Sequence, residues 1–116
     1  MITIVAGSRS VDRYSHVASA IAEAPWVITR ILSGGARGVD EFAVSYANLN
    51  NIPCDLVTAF WNEDSDYNAE VGKQRYSEML KKAEGIIVIW DGKSRGTAHL
   101  IELAKQSKLK LHIKKV

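Results

Sequence analysis

Short apolar runs alternate with stretches of helical periodicity along this chain, and that alternation limits the fold more than any other feature of the sequence. Ile2 to Ala6, Val27 to Leu32, Cys54 to Ala59 and Ile86 to Trp90 read as buried strands, with Leu109, Leu111 and Ile113 marking a half-buried last strand. Between them, apolar residues recur at i, i+3, i+4, i+7, the signature of one helix face. The sets are Tyr14, Val17, Ala18 and Ile21; Val39, Phe42, Ala43 and Tyr46; Tyr76, Met79, Leu80 and Ala83; and Thr97, Leu100, Ile101 and Ala104. Pro25 ends the first helix, Asn48 to Pro53 closes the second, and Gly85 marks the stop of the third.

Five strands alternating with four helices predict an α/β, Rossmann-like three-layer fold, with a mostly parallel sheet covered on both faces. The economical strand order is 3-2-1-4-5, with the first strand central and the switch point between strands 1 and 4. Ligands of such sheets bind beyond the carboxyl ends of the strands. At 116 residues the chain reads as one domain over 1–116, long enough to bury a core without disulfides or a structural metal.

Three turns fall at those carboxyl ends: Gly7-Ser8-Arg9, the run Ser33 to Asp40 (SGGARGVD), and the run Asp91 to Thr97 (DGKSRGT). Gly34, Gly35, Gly92 and Gly96 let the backbone turn sharply, and the amides of the helix that follows point at whatever occupies the turn. Each glycine run read alone serves equally as a tight turn or as a phosphate cradle. A helix start gives a nearby anion only about 0.3–1 kcal/mol at an exposed site, so converging turns are needed. Neither run matches the Walker P-loop or the GxGxxG fingerprint.

Arg9 and Arg37 are the nearest cations to the first two turns, suited to bidentate, charge-assisted bonds with phosphate. Asp40 complements the helix dipole and can cap, and stands as a further site candidate. In the last turn Lys93, Ser94, Arg95 and Thr97 surround two glycines, and Thr97 can cap the fourth helix while offering a hydroxyl. Arg75 lies near the amino-terminal half of the third helix, where it approaches the crevice; Glu70 and Glu78 read as solvent-facing. Trp61, in the polar and aromatic loop Phe60 to Tyr67, suits either stacking on a base or covering the sheet edge.

His99 reads as a polar helix residue, since no second histidine or cysteine stands at ligand spacing, and neither a metal nor a cofactor is expected. The single cysteine, Cys54, forms no internal disulfide and fits a reducing cytoplasm, where it packs in a strand. The opening Met1 to Ala6 lacks a basic n-region and breaks at Gly7, so it reads as neither a signal peptide nor a membrane span. Lys105, Lys108, Lys110, Lys114 and Lys115 crowd the end of the chain, while the formal net charge is only +2. Such a run suits a solvated helix end and edge strand, or an edge that meets nucleic acid.

The ordered set of Gly7-Ser8-Arg9, SGGARGVD, Ala59-Phe60-Trp61 with Gly72, the Arg75-to-Met79 segment and WDGKSRGT at Trp90 to Thr97 resembles the SLOG superfamily, and within it the small YspA-like branch. The resemblance spans almost the whole chain. It implies a Rossmann-like nucleotide-binding domain and makes self-association, such as a homodimer, plausible. More distant relatives include the Lonely guy phosphoribohydrolases, which cleave the base–ribose bond of nucleotides, and DNA-processing protein A, which binds single-stranded DNA. Where the Lonely guy motif PGGxGTxxE has its catalytic glutamate, this chain has Leu100. Glu102 stands roughly 200° around the helix from that position. Arg75 and Met79 match the RKxxM segment of the same enzymes, whereas Tyr76 replaces the asparagine common in YspA-like chains.

Three functions follow as expectations. The first is a module that binds a nucleotide-like small molecule, with Gly34, Gly35, Gly96 and Thr97 on phosphate, Arg9 and Arg37 neutralising it and Arg75 near the sugar. The second is a hydrolase of an N-glycosidic or phosphate bond, with Arg75, Glu102, Asp40 and Asp91 as its candidate catalytic residues. The third is single-stranded DNA binding by the lysine-rich end, against which the modest net charge counts.

Overall fold

Alternate side chains of a strand covered on both sides enter two different cores, and the two most apolar runs of this chain do so at its centre. They are β1 (Ile2–Gly7) and β4 (Gly85–Trp90). The remaining elements are α1 (Tyr14–Glu23), β2 (Arg30–Ser33), α2 (Val39–Leu49), β3 (Cys54–Leu56), α3 (Arg95–Gln106) and β5 (Lys110–Lys115). The computed structural model describes residues 1–34, 38–56 and 80–116. Its five strands form one all-parallel sheet in the order β3-β2-β1-β4-β5, the order expected from the alternation of elements.

On one face Val5, Ile31, Ile87 and Ile89 pack with Val17, Ala20 and Ile21 of α1 and Val39, Ala43 and Ala47 of α2. On the other, Ile4, Ala6, Leu32, Ile86 and Val88 pack with Leu100, Ile101 and Ala104 of α3. Each large side chain buried this way contributes about 1.5–3 kcal/mol, which fixes the register of the central strands. Residues 80–82 are helical, and Leu80 and Ala83 pack against this second core; the rest of the expected third helix, and the loop containing Trp61, lie outside the described residues.

Several expected boundaries shift. The second strand begins at Arg30 instead of Val27, because Val27 is 78% exposed and Thr29 donates to the Met1 carbonyl before the ladder starts. Gly85 is the first residue of β4 and no helix stop: a Cβ there would come within 2.9 Å of the Trp26 ring, which covers the amino edge of the sheet and donates to Thr3 Oγ1. Of the third strand, Cys54–Leu56 is described, and its expected continuation to Ala59 lies outside the described residues. In β5, Leu111 packs beneath α3 while Lys114 pairs with Glu23 at the end of α1, so both faces of this edge strand are in use.

Candidate functional site

At its carboxyl end β1 runs between β4 and the start of α2. A Cβ on Gly7 would stand 2.1 Å from the Ile89 carbonyl oxygen and 2.8 Å from Val39 Cγ2, so only a glycine lets β4 and α2 approach this closely. The Ser8 amide then donates to the Ile89 carbonyl, and the Val11 amide closes a turn onto the Ser8 carbonyl. That turn rests on Gly38, which precedes α2 with φ 79° and ψ −120°. A Cβ on Gly38 would lie 3.1–3.3 Å from the carbonyl oxygens of Val11, Arg9 and Ser8. At the end of β2, Ser33 is buried and donates through Oγ to the Asp40 carbonyl, and Gly34 is buried beside it. The turn after β1 therefore touches the start of α2.

The same turn is bonded to the start of α3. Ser8 is 1% exposed, and its Oγ accepts from the Asp91 amide at 3.1 Å while lying 3.2 Å from Thr97 Oγ1. Thr97, 4% exposed, donates on through Oγ1 to Ser94 Oγ. Ser10 Oγ donates to Asp91 Oδ2, and Asp91 Oδ1 accepts the amides of Lys93 and Ser94. Four hydroxyls and one carboxylate thus join the loops that leave β1 and β4, the two strands at the switch point.

This arrangement corrects the expected cap of the last helix. Ser94, not Thr97, is the N-cap of α3, and its side chain accepts the Thr97 amide. The sequence pointed to Thr97 because a serine and a threonine both stand at the helix start; the extended backbone of Ser94 decides between them. Asp91 and Ser94 between them engage the amides of Lys93, Ser94 and Thr97. The Arg95 and Gly96 amides, the first donors of α3, have no protein acceptor among the described residues.

The charges around the two helix starts differ in sign. The first turn of α2 carries Asp40, 5% exposed, and Glu41, whereas the first turn of α3 has no acidic residue and carries exposed Arg95. Ahead of α3 the Ser10 hydroxyl, followed by the Ser94 and Lys93 amides, holds the Asp91 carboxyl far below the usual carboxylate range. It is ionised at any physiological pH and already accepts three hydrogen bonds, which suits a structural anion and not a proton donor. Arg9 and Lys93 are exposed on the turns after β1 and β4. Gly92, with φ 80°, lies beneath the side chain of Lys115.

The structure thus gathers Gly7, Ser8, Arg9, Asp91, Gly92, Ser94, Arg95, Gly96 and Thr97 around the loops of β1 and β4, with Ser33, Gly34 and Asp40 at the adjoining start of α2. Gly35, Arg37, Trp61 and Arg75 lie outside the described residues. Glu102 is on the solvent side of α3, 3.8 Å from Lys105, and Leu100 is buried in the core beneath the helix. His99 is exposed, and burial, followed by the neighbouring Asp55 charge, pushes the Cys54 thiol up, so that it is a poor nucleophile. Two contributors were missed from sequence. Ser10 has no signal beyond being a hydroxyl in a turn, and Lys115 enters only through the parallel register that sets it beside Trp90.

Among the described residues no group of three or more His, Cys, Asp or Glu is placed to hold a metal ion, and no helix is long and apolar enough to cross a membrane. No protein-family model matches the chain, and no curated protein is significantly similar to it.

Proposed function

We propose that the carboxyl edge of the sheet binds a nucleotide or a nucleotide-derived phosphate, and that the protein is a ligand-binding or sensing module akin to the SLOG domains it resembles. The observation that carries this reading is the buried Ser8–Thr97 hydroxyl contact, which draws the β1 loop onto the start of α3 where the Arg95 and Gly96 amides have no acceptor among the described residues. A phosphate there accepts both amides, with Arg95, Lys93 and Arg9 as the nearby cations. A helix start, even in a partly buried geometry, gives an anion about 2 kcal/mol at most, so the cations and the rest of the ligand must supply the remaining affinity.

Binding without hydrolysis fits the placement of Leu100, Glu102 and Asp91 better. Leu100 is turned into the core, Glu102 faces solvent beside Lys105, and Asp91 is engaged by Ser10 and two amides. The single cysteine agrees with a cytoplasmic setting, and a homodimer fits the same family reading.

Isothermal titration with AMP and ADP-ribose, alongside mass spectrometry of small molecules that copurify with the protein, tests the proposal. Gly96→Val crowds the first turn of α3 and is expected to weaken binding at least about tenfold while the thermal midpoint moves by only a few degrees. A folded Gly96→Val protein that binds as the wild type does would remove the phosphate from α3. Release of free base or ribose 5-phosphate, lost in Arg75→Ala, would replace binding with hydrolysis.

A further inference from the structure

We draw no further inference here: the strongest candidate, the α1-facing side of β5, where His112 shares a face with the Glu23-paired Lys114 and buries its Nε2 without a hydrogen-bond partner, rests on that single ring atom, and nothing else among the described residues points to a ligand or a change of state there.

Discussion

The turns that lead into α2 and α3 look alike in sequence, each bearing glycine after a buried strand, yet they meet the helix dipole in opposite ways. At α2 the residue before the helix is Gly38, which has no side chain to cap with, and the negative charge comes from inside, through Asp40 and Glu41. At α3 the cap is Ser94 and the negative charge comes from ahead, through Asp91, while the first turn itself is free of acids and carries Arg95. A carboxylate within the first turn of a helix competes with any ligand anion for the same field. One that precedes the helix and is tied to other amides leaves the Arg95 and Gly96 amides without an acceptor among the described residues. The contrast is one of charge, an acidic first turn at α2 against one at α3 that carries Arg95 and no acid.

Substitutions at the two helix starts sharpen this contrast. The largest effect is expected for Gly38→Ala. Its backbone lies in a region that side chains avoid, with three carbonyl oxygens at 3.1–3.3 Å from the new atom, so it should lower unfolding stability in urea by about 2 kcal/mol. Nucleotide affinity of the folded fraction should stay within about twofold; a large loss of affinity without loss of stability would make α2 the ligand's helix after all. Ser94→Ala removes the cap of α3 and should cost about 1 kcal/mol, with weaker nucleotide binding as the first turn loosens. An unchanged urea midpoint would mean that Asp91 alone holds the turn.

The smallest effect concerns pH. Because the carboxyl of Asp91 is held below its ordinary range in the folded protein, its contribution to stability is complete above the unfolded value of about 3.9 and is lost as pH falls below it. Urea midpoints measured from pH 5 to pH 2 should therefore decline less steeply for Asp91→Asn than for the wild type. Equal slopes would show that the Ser10 contact adds nothing to the folded state.

Strand order was legible because β1, Thr3 apart, and β4 are apolar, which a doubly covered centre favours, and because α2 and α3 repeat their apolar residues at helical spacing. Val27 misled because an apolar residue beside a strand need not join it: here its carbonyl accepts the Met1 amine and its side chain faces water. The glycine at 85 misled in another way, since the need for it comes from Trp26, a residue distant in sequence. For the site, positions at strand ends could be named, but the cap of α3, the Ser10–Asp91 bond and the passage of Lys115 over Gly92 depend on which loops become neighbours. Periodicity describes a chain's own faces and is silent about contacts between loops.

Gly7 carries a last consequence. One added carbon there would collide at once with the main chain of one element and the side chain of another, so no single compensating exchange elsewhere could accommodate it. Descendants of any function would keep this residue unaltered, because what it preserves is clearance between two parts of the scaffold, and natural selection for folding alone suffices to hold it.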